Sequence, residues 1–130
     1  MEDKFYVSVE AAMLLREKGY DKPTDYIYVI DGPFYSIWRN KDGNMESNYY
    51  PAPTKAEAID WLESKGIVIS VEYINGLWDC QIYSFVDATI LHGKALPMVY
   101  DVVNFSTRLE AENAAIILAL KEITKKITKL

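Results

Sequence analysis

Apolar and polar residues alternate on both sides of Asn75-Gly76, and the stretch from Ile67 to Phe85, IVISVEYINGLWDCQIYSF, predicts a central β-hairpin. A two-residue type I′ turn at Asn75-Gly76 sets the pairing outward. Ile74 falls opposite Leu77, Tyr73 opposite Trp78, Glu72 opposite Asp79, Val71 opposite Cys80, Ser70 opposite Gln81, and Ile69 opposite Ile82. One face then carries Ile67, Ile69, Val71, Tyr73, Trp78, Cys80 and Ile82, and is expected to meet helices. The other carries Ser70, Glu72, Ile74, Leu77, Asp79 and Gln81, and is expected to be wet or to lie at a contact. A slip of one residue would bury Glu72 and Ser70, so the register is well specified.

Helical periodicity appears three times. Ser8 is placed to cap a helix over Val9 to Lys18, with Glu10 in its first turn and Ala11, Ala12, Leu14 and Leu15 on its apolar face. Gly19 stops it, and Tyr20 folds back on the last turn. Thr54 and Glu57 form a capping box ahead of a second helix, with Ala58, Ile59, Trp61 and Leu62 as its buried stripe and Gly66 as its stop. Thr107 and Glu110 open a third. Leu109, Ala115, Ile116, Ala119, Leu120 and Ile123 keep helical spacing there. The basic tail over 124–130 suits the negative end of the helix dipole, and its last residues are expected to fray.

The remaining β-prone stretches are weaker. Phe5 to Val7 predicts a short leading strand, and Tyr26 to Ile30 a second. Asp31-Gly32-Pro33 breaks the chain, and Phe34 to Arg39 resumes it. Met45 to Tyr50 predicts a return strand after a turn at 41–44, which would set Arg39 opposite Glu46. The segment from Val86 to Pro97 reads as a loop with a partial strand at Thr89 to Leu91, and Met98 to Val103 as another strand. Together these elements predict one α+β domain over residues 1–130. Its antiparallel sheet has five or six strands, with three helices packed on one face. Its core is expected to include Leu14, Leu15, Ile59, Leu62, Ile69, Val71, Ile82, Ile116 and Leu120.

Composition narrows the function classes. Half of the 130 residues are hydrophobic, enough for a real core, and the net charge of -5 argues against non-specific binding to nucleic acid or an anionic membrane. Cys80 is the single cysteine, so no internal disulfide forms. The first residues lack a basic stretch followed by a long apolar run, and the apolar segment near Ala114 to Leu120 is too short to span a bilayer. The expectation is a soluble cytoplasmic protein. Thr54 to Ala58 and Thr107 to Ala111 share the pattern Thr-basic-x-Glu-Ala. Internal duplication and the common demands of capping both account for it.

Candidate chemistry is sparse. Glu72 and Asp79 make a carboxylate pair across the hairpin, but a hard cation usually needs more oxygen ligands. His92 could act as a general base only with an orienting acid, Asp87 or Asp101, and a nucleophile. Cys80 falls on the core face and reads as structural. Asp31-Gly32-Pro33 and the turn at 41–44 do not lead from a strand straight into a helix, so they are not phosphate loops. No catalytic, cofactor or metal residues are assigned. Ten tyrosines and three tryptophans are many for this length. Tyr26, Tyr28, Tyr35, Trp38, Tyr49 and Tyr50, with Lys125, Lys126 and Lys129 of the tail, make the candidate interaction surface. Protein contact is the first functional reading, with self-association into a homodimer as one form of it. A nucleic-acid module using the same aromatics and the basic tail is the second, disfavoured because acidic residues outnumber Arg39 and Lys41 around the aromatics. A small enzyme centred on His92 is the third.

Three stretches carry a resemblance when taken together: Val7-Ser8-Val9-Glu10-Ala11 through Lys18-Gly19-Tyr20, Tyr50-Pro51-Ala52-Pro53-Thr54 through Leu62, and Arg108-Leu109-Glu110-Ala111 through Leu120. The chain is similar in them to small uncharacterised proteins of gut Bacteroidetes and their prophages. The resemblance implies an accessory protein of a bacterium or mobile element, without enzymatic chemistry. It brings no functional residue with it.

Overall fold

The computed structural model describes residues 2–41, 43, 45–84 and 98–128. Among them are helices α1 (Val9–Glu17), α2 (Lys55–Ser64) and α3 (Arg108–Thr128), and strands β1 (Tyr26–Asp31), β2 (Phe34–Arg39), β3 (Tyr49–Pro51), β4 (Ile67–Ile74), β5 (Leu77–Ser84) and β6 (Met98–Phe105). The class is α+β. The expected single sheet is instead two three-stranded antiparallel sheets, ordered β2-β1-β3 and β4-β5-β6. The division falls where β3 runs into Pro51-Ala52-Pro53. Two prolines remove backbone donors there, and α2 separates the two sets of strands.

Capping chemistry sets the helix ends. Ser8 Oγ accepts the Ala11 N–H at 3.3 Å. At the other end of α1, Gly19 has φ +87°, its N–H donates to Arg16 O, and Tyr20 N–H donates to Leu15 O. These paired bonds satisfy carbonyls that the helix leaves open. At α2, Thr54 Oγ1 accepts the Glu57 N–H at 3.1 Å, and Glu57 Oε1 accepts the Thr54 N–H at 2.9 Å. At α3, Thr107 Oγ1 accepts the Glu110 N–H, while the Glu110 carboxylate accepts from the Ser106 hydroxyl. The helix continues through Thr128, and the last two residues of the tail, 129 and 130, lie outside the described residues.

The central hairpin has the predicted register, from Ile74↔Leu77 back to Ile67↔Ser84, with Asn75 at φ 52° and Gly76 at φ 84°. Its base is buried and its tip is not. Ile67, Cys80 and Ile82 are fully buried, whereas Tyr73 extends beyond the helices and is 62% exposed. Gln81, on the face expected to be wet or to lie at a contact, is buried. The helices lie between the sheets. α3 packs on β4, β5 and β6 and against α1 and α2, while α1 packs on β3. One core results, drawing Leu15, Leu62, Ile82, Ile116 and Leu120 together with Tyr28. Leu14, Ile59, Ile69 and Val71 pack at its margin.

Two local expectations fail in the first half. Phe5 to Val7 is not a strand: Asp3–Phe5 form a 3-10 turn, and Tyr6 makes a single bridge to Thr54. The segment after β2 does not return beside it. β3 pairs with β1, Tyr28 opposite Tyr50, so Arg39 faces Tyr26 rather than Glu46. Asn40 turns the chain across the end of β1, its N–H donating to Asp25 O and its Nδ2 to Thr24 O. The apolar strand β1 thereby takes the centre, and Glu46 and Ser47 stay outside the ladder. Arg16 holds β3 in place. Its guanidinium donates to Ser47 O and Tyr49 O, both at 2.6 Å, and lies 4.9 Å from the Tyr50 ring centre.

Candidate interaction surface

The hairpin of β1 and β2 turns through Gly32-Pro33, with Asp31 opposite Phe34. Gly32 has φ +60°, which a type II′ turn needs at its first central position, and proline suits the next. Alternation then divides the sheet into two faces. Tyr26, Tyr28, Tyr35, Ile37 and Tyr50 point toward the helices. Ile27, Val29, Phe34, Trp38 and Tyr49 point away.

The inner face is only partly covered. Tyr28 is buried, and its hydroxyl donates to Val7 O at 2.6 Å. Burial pushes the Tyr28 phenol up to about 12, with Tyr35 and Asp3 adding to the effect. Tyr35 meets the Tyr28 ring edge-on at 5.6 Å, yet is 58% exposed, because α1 packs on β3 and leaves β2 uncovered. Beyond Tyr35 and Ile37 opens a cleft of about 710 Å³ between β2, the start of α1 and one face of α3. Val9, Phe105 and Ile117 give it apolar walls, and Asp3, Glu10 and Glu110 give it three carboxylates. Lys55 is the one lysine among its described lining residues. It is buried and donates to Lys4 O at 2.8 Å. Burial lowers its ammonium below the ordinary lysine value, against the opposing pull of Glu112 and Glu110. Ser8 and Asn113 close the floor: Asn113 Oδ1 accepts the Ser8 N–H at 3.0 Å, and Asn113 Nδ2 donates to Ser8 Oγ.

The outer face is apolar and open along β2. Ile27 and Val29 are buried beneath their neighbours, while Phe34 is 76% and Trp38 52% exposed. Trp38 and Tyr49 lie 6.4 Å apart across the sheet and border a hollow of about 450 Å³ that also includes Arg39, Lys41 and Glu46. Ile37 lines both the hollow and the cleft. Every residue of β2 is exposed.

Among the described residues, β2 is also an edge strand. Tyr26 O accepts from Ala52 N–H and Ile30 N–H donates to Asn48 O, so Tyr26, Tyr28 and Ile30 direct their backbone groups to β3. Ile27, Val29 and Asp31 direct theirs to Trp38, Ser36 and Phe34. The backbone groups of Tyr35, Ile37 and Arg39 therefore point to the free edge, where the Arg39 carbonyl also accepts from Lys41 N–H. Edge strands commonly carry lysine, proline or a bulge that discourages pairing. Phe34–Arg39 has none of these, and its one charge, Arg39, lies at the strand's end.

The predicted surface residues thus separate. Tyr35 and Trp38 are exposed on opposite faces, Tyr26, Tyr49 and Tyr50 are half-buried, and Tyr28 belongs to the core. Arg39 lies over Tyr26, its guanidinium carbon 5.8 Å from the ring centre, and its interaction with the hydroxyl keeps the Tyr26 phenol below its usual value. Lys125 and Lys126 lie within α3, and Lys129 is outside the described residues. Phe34 and Ile37, absent from the predicted set, are the additions. Their signal is the two-residue turn at Gly32-Pro33, which fixes β2 as a hairpin arm.

The other candidate chemistry is not assembled by the described residues. Glu72 and Asp79 do face each other, but no group of three His, Cys, Asp or Glu among the described residues could hold a metal ion. Burial pushes the Cys80 thiol up to about 11, with Glu112 adding to it, the reverse of what a nucleophile needs. His92 and Asp87, like the predicted 86–97 loop, lie outside the described residues, and Asp101 lies on β6 opposite Gln81. No helix among the described residues is long and apolar enough to cross a membrane. Neither family models, curated proteins nor solved structures give a match to this chain.

Proposed function

We propose that this chain is a non-catalytic accessory protein that works through protein–protein contact, with β2 and the aromatic sheet around it as the working surface. The observation that carries the reading is that β2 is exposed along its whole length while presenting Phe34, Tyr35, Ile37 and Trp38. Large exposed aromatics at an unprotected strand edge favour association and form the usual anchors of interfaces. The acidic surroundings, Asp25, Asp31 and Glu46, and the engagement of Arg39 by Tyr26 favour protein over nucleic acid. A single buried cysteine suited to a reducing cytoplasm agrees with this reading.

The test compares capture from the native cell by the unaltered chain and by a Phe34→Ser/Trp38→Ser double variant. Both side chains are exposed on the outer face, so the variant should keep its fold, as checked by circular dichroism. The expected result is a partner, this chain or another, held by the unaltered protein and lost by the variant. Equal capture by both proteins would contradict the proposal.

A further inference from the structure

We infer that the partner of β2 is a second copy of this chain, paired antiparallel along the free edge about a two-fold axis through Ile37. The inference rests on the reading of β2 as the working surface. It follows from which backbone groups are free. Tyr35, Ile37 and Arg39 face outward, and a dyad at Ile37 sets Ile37 opposite its own copy and Tyr35 opposite Arg39 of the second copy. Every outward N–H then meets a carbonyl, with the Arg39 carbonyl using its second lone pair beside the bond from Lys41. A dyad one residue earlier, at Ser36, would set Arg39 against Pro33, which has no N–H to give.

The side chains agree with the same axis. On the outer face, Ser36 falls opposite Trp38 of the second copy, a small residue beside a large one. On the inner face, Arg39 of the second copy comes beside Tyr35, at the mouth of the cleft that carries Asp3, Glu10 and Glu110, where Lys55 and, through its pairing with Glu10, Lys121 are the described lysines. An arriving guanidinium meets carboxylates and an exposed aromatic ring there, both of which attract it. The only formal charge on β2 is therefore moved toward opposite charge, and the two Arg39 side chains are held apart at the ends of the paired strands.

The experiment measures mass by light scattering over roughly a hundredfold range of protein concentration, since dimerisation follows mass action. The expected result is a rise from monomer to dimer in the unaltered chain. Ile37→Pro removes an N–H that faces the free edge and not β1, and should leave a monomer throughout. Should that variant fail to fold, Ile37→Lys serves in its place, because it sets two ammonium groups against each other on the axis. Register is read by mild oxidation of mixed variants that each carry one added cysteine, native Cys80 being buried. Tyr35→Cys and Arg39→Cys should cross-link to each other faster than either does to itself. A monomer at every concentration overturns the inference, and if capture still depends on Phe34 and Trp38, the interaction reading stands without it. Dimers unaffected by either Ile37 substitution overturn it as well. Preferential cross-linking of Tyr35→Cys to Ile37→Cys overturns the Ile37 axis in favour of Ser36.

Discussion

At the scale of single residues, Tyr28 shows how the sheet is tied to the helical layer. Its ring lies in the core, and its hydroxyl is spent on the Val7 carbonyl. Tyr28→Phe is expected to cost about 1 to 2 kcal/mol, because a buried acceptor loses its donor. The phenol also makes stability depend on pH. Its value is raised to about 12 in the folded chain, so its stabilising contribution is fully present below the unfolded value near 10. It is lost as pH rises from there toward 12. Tyr20, likewise raised to about 12 by burial, acts in the same direction. Lys55 acts in the opposite direction, since deprotonation at high pH relieves the cost of its buried charge. The urea midpoint of the unaltered chain should therefore fall above pH 10, and Tyr28→Phe should make that fall shallower. An unchanged slope would mean that Tyr28 has no part in the alkaline loss. Residue-scale features are legible in sequence where they are local. Ser8 and Thr54 declare their helices by type and spacing, whereas the Asn113 that completes the Ser8 cap lies 105 residues away and leaves no local sign.

Elements are legible to the extent that their partners are near in sequence. The hairpin of β4 and β5 has its predicted register throughout, because Asn75-Gly76 fixes the turn and the apolar alternation fixes the faces. The place of β3 is not read from its local pattern. Pairing of Arg39 with Glu46 looks favourable there, while the competing pairing with β1 is decided by Asn40 and by Arg16 of a distant helix. The cleft is not legible either, since its walls come from β2, α1, α3 and the start of α2. The turn that aims β2 outward gives the prediction at this scale. A Cβ at Gly32 would meet nothing within 4 Å, so Gly32→Ala carries only the backbone penalty of φ +60°. Chemical denaturation should show a loss of about 1 to 3 kcal/mol. A loss near zero would mean that the turn relaxes to another geometry and does not fix the register of β2.

For the whole molecule, the two sheets differ in how well they are covered. The sheet of β4, β5 and β6 has α3 laid across it, and its hairpin contributes Ile67, Cys80 and Ile82 to the core. Among the described residues, the sheet of β1, β2 and β3 has α1 on one side of its inner face and leaves the other side, the outer face at Phe34 and Trp38, and the β2 edge open. Sequence patterning supplies enough apolar material for one core but not its division between sheets, since β-prone stretches of similar character end up covered or open according to which helix reaches them. Exposed β2 is the consequence on which the proposed function rests. Residue-resolved amide exchange tests it most directly, with the protein dilute and then engaged by a second copy or a captured partner. Engagement should slow exchange at Tyr35, Ile37 and Arg39, whose N–H groups face the free edge, while Ser36 and Trp38, already bonded to β1, change little. Protection confined to other elements, with Tyr35, Ile37 and Arg39 exchanging as fast as in dilute solution, would contradict a working edge at β2.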